Sequence, residues 1–189
     1  MNHNNLIMKT FLRFLIIGFL LGTTSARAED KAALDRDIDA ALHQLIETTP
    51  AAKAIMKQAK AALVFPNIVK AGFIAGVQHG QGGLAKRKVG GGYYVSDYYS
   101  VTAASYGLQA GVQSFGYVML LMSDAAVQHI ETSNNWELGS GPTIVILDQG
   151  KAKTLSTETL KDDVYAFTFG QEGLMAGMGL QGSKITKLH

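Results

Sequence analysis

Three stretches of this chain repeat one pattern: a glycine, a large apolar residue, any residue, Ala-Gly and another large apolar residue. They are Gly72-Phe-Ile-Ala-Gly-Val, Gly107-Leu-Gln-Ala-Gly-Val and Gly173-Leu-Met-Ala-Gly-Met. Read as strands, they send the glycines to one face. Phe73, Ala75 and Val77, then Leu108, Ala110 and Val112, then Leu174, Ala176 and Met178 go to the other. Glycine weakens a strand and marks a bend, a bulge or close backbone approach. Three such strands predict a strongly curved sheet, or one covered closely on its glycine face.

Other meanings of the pattern fail. Each copy matches G-x-x-x-G, but helix dimerisation through that motif needs an apolar run of about 20 residues. Lys70 and His79 flank the first copy, and Glu172 and Lys184 the third. Gly177-Met-Gly-Leu-Gln-Gly182 fits G-x-G-x-x-G, yet too little chain follows for the helix and strand of a dinucleotide-binding unit. The spacings between copies are unequal, which excludes a regular solenoid.

The rest of the pattern is helices first, then strands. Leu34, Ile38, Leu42, Leu45 and Ile46 share a helical face. Thr49-Pro50 starts a second helix, on which Ile55, Met56, Ala59 and Leu63 face inward and Lys53, Lys57 and Lys60 face the other way. Such a cationic stripe can lie on an anionic membrane or simply face water. From Leu63 the period becomes two, over 72–78, 93–95, 99–113 and 164–169, with glycine-rich turns between. Ser123 caps a helix over 124–131 with Val127 and Ile130 inward, and 143–147 reads as a short buried strand. The expected fold is α+β: N-terminal helices packed on a strongly curved, largely antiparallel, glycine-rich sheet.

Residues 1–28 read as a secretory signal peptide. Lys9 and Arg13 precede the apolar run 14–22, and Ala26-Arg-Ala28 supplies the cleavage signature. The expected division is therefore a signal at 1–28 and a single domain at 29–189. The expected location is the periplasm or cell envelope, with the protein soluble or peripherally attached to the membrane. Losing Lys9, Arg13 and Arg27 takes the seventeen cations to fourteen against fifteen acids, a net charge of −1. That balance argues against non-specific nucleic-acid binding, which requires many neutralised phosphates. With no cysteine there is no disulfide framework.

No catalytic constellation stands out, and an enzyme is not expected. The histidines are scattered without zinc-site spacing, and there is no G-x-S-x-G elbow. Asp35, Asp37 and Asp39 resemble the start of a calcium loop, but Ala40 and Ile46 stand where that loop needs Gly and Glu. Neither a metal nor a cofactor is expected. The basic residues are more telling. Lys86-Arg87-Lys88 reads as a loop between two glycine runs, with Tyr93, Tyr94, Tyr98 and Tyr99 close behind. Cations beside amphipathic aromatics suit a lipid headgroup interface. They equally describe a solvated hairpin tip packed on tyrosines.

Several motifs in order resemble the SYLF domain, a lipid-binding family. They are Ala62-Leu-Val-Phe-Pro-Asn67, Gly72-Phe-Ile-Ala-Gly76, the stretch 105–113, Trp136-Glu-Leu-Gly139, 169–177 and Gly182-Ser-Lys-Ile-Thr186, together covering roughly 45–188. The resemblance implies phospholipid binding, often phosphoinositide (phosphatidylinositol) binding, by a stand-alone bacterial-type member. It implies a membrane partner rather than a reaction. An exported protein would not meet the actin that some family members bundle. The candidate lipid contacts are Lys86, Arg87, Lys88, Lys53, Lys57, Lys60, Tyr93 and Tyr94. The alternatives are an architectural envelope protein binding another protein through its curved sheet and a lipid-modifying enzyme. Charged and helical segments interrupt the strands too early for an outer-membrane barrel.

Overall fold

The computed structural model describes residues 30–73, 75–106, 111–147, 160–173 and 182–189. The chain divides into two units, 1–36 and 37–189. Residues 30–36 of the first are helical. The second opens with helix α1 over 37–48, where Ile38, Ala41, Leu42 and Leu45 are all buried at the expected spacing. Helix α2 is Pro50–Met56, with proline in its first turn. It is shorter than the periodicity implied. Lys57 caps its end, and Ala61 already belongs to a strand. Lys53, Lys57 and Lys60 therefore do not form a stripe on one helix.

Eight strands follow: β1 Ala61–Gly72, β2 Ala75–Arg87, β3 Tyr93–Tyr106, β4 Gly111–Leu121, β5 Asn135–Glu137, β6 Ile144–Leu147, β7 Val164–Gly173 and β8 Lys184–Leu188. Helix α3, Asp124–Thr132, intervenes after β4. Its N-cap is Ser123, whose Oγ accepts from the Ala126 N–H at 3.1 Å, and Ala126 and Ile130 are buried. The strands make one sheet in the order β5-β8-β3-β2-β1-β4-β7-β6. The pairs are antiparallel except β6 with β7, which is parallel. The inner order β4-β1-β2-β3 is a Greek key.

Chain length shows why this sheet curls. Its two edge strands are consecutive in sequence, and only residues 138–143 join them. Seven residue steps reach ~25 Å at most. A flat eight-stranded sheet would hold its edges roughly 34 Å apart, at about 4.8 Å per strand. The sheet bends into a half-barrel instead. Its concave side gathers Leu63, Phe65, Ile68, Leu84, Tyr99, Val101, Tyr117, Met119, Trp136, Val164 and Ile185 into one core, which α3 enters with Ala126 and Ile130. Tyr99 donates to the Ile130 carbonyl at 3.2 Å. On the opposite face Ala62, Val64, Ala85, Val118 and Leu120 are also buried. A Cβ on Gly83 would come within 2.9 Å of Ile38 Cδ1, which places α1 on that side.

The sheet is curved as expected, and Gly72 of the first repeat is closely approached, a Cβ there falling 2.5 Å from Gly76 Cα, but the tightest approaches are at glycines outside the repeats. Close approach occurs at Gly82, where a Cβ would lie 2.0 Å from the Val64 carbonyl oxygen, and at Gly116, where it would lie 2.2 Å from the Phe169 ring. The first repeated stretch is a hairpin turn: β1 ends at Gly72, β2 starts at Ala75, and Gly72 pairs with Gly76. Most of the other two stretches lies outside the described residues. The apolar side chains expected to pack are exposed at Phe73, Val77 and Val112, while Gln78 and Gln113 beside them are buried. Residues 144–147 form an edge strand with Ile146 exposed, not a buried one. Among the described residues only one side of β6 has a partner strand.

Candidate functional site

The β2–β3 hairpin brings the basic residues together at one end. Lys86 and Arg87 close β2, and Tyr93 and Tyr94 open β3 directly opposite them. Only Lys88 of the cationic triad is in the loop. There the chain reverses through Lys88–Gly92, held by bonds from the Lys88 N–H to the Gly92 carbonyl at 3.0 Å and from the Gly91 N–H to the Lys88 carbonyl at 3.1 Å. Gly90, Gly91 and Gly92 all take positive φ, so this tight reversal depends on glycine. Val89 at its tip is fully exposed.

Arg87 ties the two basic groups into one. Its guanidinium donates to the Met56 carbonyl at the C-terminal end of α2, where a cation complements the helix dipole. It also lies 5.9 Å from the centre of the Tyr93 ring. Lys53 on α2 and Lys57 at its C-cap thus share an end of the sheet with Arg87, Lys88 and Tyr94, and all five are exposed. Among the described residues Lys53, Lys57 and Lys88 form no salt bridge.

Lys86 and Lys60 are engaged otherwise. Lys86 forms an ion pair with Glu131 on α3, and both side chains are about a third exposed or less. That hydrogen bond outweighs burial and holds the Lys86 pKa above its ordinary value. Lys60 lies 3.6 Å from Asp124. Nearby, Lys187 bridges to Asp97 at 2.8 Å. Burial pushes the Asp97 carboxyl up, but the bonds from Lys187 and Ser96 hold its pKa below normal. These pairs pin β2, β3, β8 and α3 together.

Val89 was the residue that sequence reasoning missed. The signal was present: a lone valine between a lysine and three glycines, in a segment too glycine-rich to bury it. The described residues contain no cluster of ligands suited to a metal ion. No described helix is long and apolar enough to cross a membrane. A shallow depression of about 330 Å³ lies elsewhere, at the β5–β6 link, lined by Leu138, Pro142, Thr143 and Ile146 among others.

Residues 102–189 match the family model Ysc84, described as "Las17-binding protein actin regulator". The chain is also similar to the SH3 domain-containing YSC84-like protein 1 of Pongo abelii, Bos taurus and Homo sapiens. Each is 25% identical over 122 residues, 64% of this chain. The match spans 35% of the orangutan and human relatives and 36% of the bovine one, about a third of their length. The family description names a binding protein and regulator rather than an enzyme. The motif order seen in the sequence and the curled α+β sheet agree with this match: over residues 102–189 the chain is similar to the Ysc84, or SYLF, family.

Proposed function

We propose that this protein is a non-catalytic module that docks on anionic phospholipid through the end of its sheet formed by α2 and the β2–β3 hairpin. The observation that carries this reading is the combination at that end. A fully exposed Val89 stands at the hairpin tip, with Arg87, Lys88, Lys53, Lys57 and Tyr94 exposed around it. An apolar tip can enter the headgroup boundary while the cations stay among the phosphates. With a net charge of −1 after removal of residues 1–28, attraction must come from this local patch. The same reading places the protein in the cell envelope after export. Lys86 and Lys60 support the surface through their pairing with Glu131 and Asp124.

Co-sedimentation with phosphatidylglycerol vesicles, against neutral phosphatidylcholine vesicles, tests it. A cation close to an anionic membrane contributes about 1 kcal/mol. Replacing Lys53, Lys57 and Lys88 with Gln should therefore weaken binding by roughly two orders of magnitude. Val89→Asp should weaken it as well, and added salt should release the wild type. Lys86→Gln should lower stability and leave vesicle affinity nearly unchanged. Wild-type binding that ignores salt and survives the triple substitution would refute docking at this end. One observation favours a second reading, a protein partner: Phe73, Val77 and Val112 are exposed near the opposite end of the sheet. Failure to bind any vesicle would turn attention there.

A further inference from the structure

We infer that the concave face of the sheet carries a second binding site, for a neutral polyol group. Three polar side chains line up across three strands near the β1–β2 turn. Lys70 on β1 pairs in register with Gln78 on β2 and with Gln113 on β4. They fall on the same face as Ile68 and Phe115, the concave one, by strand alternation. Gln78 pairs onward with Ala103 of β3. Lys184 of β8 pairs with Thr102, so Ser183 extends the same row by one strand. Gln78 and Gln113 are each 5% exposed, Lys70 8% and Ser183 0%.

Buried polar atoms are ordinarily hydrogen-bonded. Here Gln78 Nε2, Gln113 Oε1 and Ser183 Oγ have no partner among the described residues. Lys70 has an interaction of its own, and nothing below requires it to be vacant. Three unmet atoms share one row, whereas elsewhere in the concave core only the isolated Tyr117 hydroxyl is unmet among the described residues, and such a row is a demand for a ligand. Their chemistry selects its class. Gln78 Nε2 only donates and Gln113 Oε1 only accepts. With the amides oriented as they are, a phosphate or carboxylate, which only accepts, would leave Gln113 Oε1 unmet. An ammonium group would leave Gln78 unmet. A hydroxyl does both, as Ser183 itself requires. The two glutamines stand on strands separated by β1, about 10 Å apart at the backbone, so several hydroxyls are needed. Lys70 is nine residues along β1 from Ala61, ~30 Å from the basic end. The site is therefore distinct from the docking surface.

The same hydroxyls can come from a lipid headgroup or from a soluble polyol, and glycerophosphoglycerol, the headgroup of phosphatidylglycerol without its acyl chains, separates the two. The measurement is NMR of the side-chain amides of Gln78 and Gln113 in the full chain. Both signals should shift on titrating the probe. Gln78→Met and Gln113→Met should each weaken its binding at least tenfold. Both variants should fold, because methionine fills the glutamine volume and removes an orphaned group. Vesicles of phosphatidylglycerol shifting the amides while phosphatidic acid vesicles do not would identify the lipid source. A response to the free probe alone would identify a soluble one. No shift from any arm, or equal probe binding by wild type and both methionine variants, overturns the site. Vesicle docking through Lys53, Lys57 and Lys88 is read by sedimentation and would stand or fall separately.

Discussion

Replacing Gly82 with alanine should test how the sheet achieves its curvature. A Cβ at this position would sit 2.0 Å from the Val64 carbonyl oxygen and 2.6 Å from Phe65 Cδ1. The phenyl ring can turn aside, but the carbonyl belongs to the backbone of β1. An ordinary contact begins near 3.4 Å, so the strands must shift by over an ångström. The shift falls where the β1–β2 register slips between Val64 and Asn67. Displacement of that size breaks about two ladder hydrogen bonds, at about 1 kcal/mol each. Overpacking adds ~1–3 kcal/mol. The expected loss is ~3–5 kcal/mol, or a fall of roughly 10 °C in Tm at about 2–4 °C per kcal/mol for a chain of this size. Denaturant and thermal midpoints of Gly82→Ala against wild type measure it. A loss below about 1 kcal/mol would show that β1 and β2 part freely, and that glycine is not what lets them approach.

Two further substitutions isolate other terms. Gly111 has φ of +140° and open space where its Cβ would be, so Gly111→Ala and Gly111→Leu should both cost ~1–2 kcal/mol through backbone strain, and nearly equally. A much larger loss for leucine would reveal crowding at that site. Asp163 accepts from Ser123 Oγ at 2.8 Å and from the Thr143 N–H and hydroxyl at 3.3 and 3.2 Å, joining the α3 cap and the start of β6 to β7. The Ser123 bond outweighs burial and holds its pKa below the ordinary carboxylate value. A lowered folded pKa means stability that is present above about pH 4 and lost as pH falls through the folded value. Asp163→Asn should cost ~1 kcal/mol at pH 7, discounted for exposure, and the gap to wild type should close in acid. An unchanged gap at low pH would refute the assignment.

Local chemistry was legible in the sequence. The Ser123 cap, the α1 face at Ile38, Leu42 and Leu45, and the alternation through the strands each depend on residues within a few positions of one another. The ordered motifs were enough to suggest the family, and the pairing of helices followed by strands was enough for the fold class. Alternation, however, says that two faces differ and not which one is covered. That is why Phe73, Val77 and Val112 read as a packing face and are exposed, while Gln78 and Gln113 on the other face are buried. A run of helical spacing also does not mark where a helix yields to a strand. At Ala61 the register with Lys86 and Leu121 takes the backbone's hydrogen bonds.

What the sequence by itself determined is therefore the set of elements, their amphipathic character and the supply of exposed cations. Only the tertiary structure decided which cations remain available. Lys86 meets Glu131 across 45 residues, and Arg87 reaches the Met56 carbonyl across 31. Such pairings depend on which strands neighbour one another, and no local period encodes that order. The same holds for the edges of the sheet. Residues 138–143 are too short to cross a flat sheet, but that constraint exists only once β5 and β6 are known to lie at opposite edges.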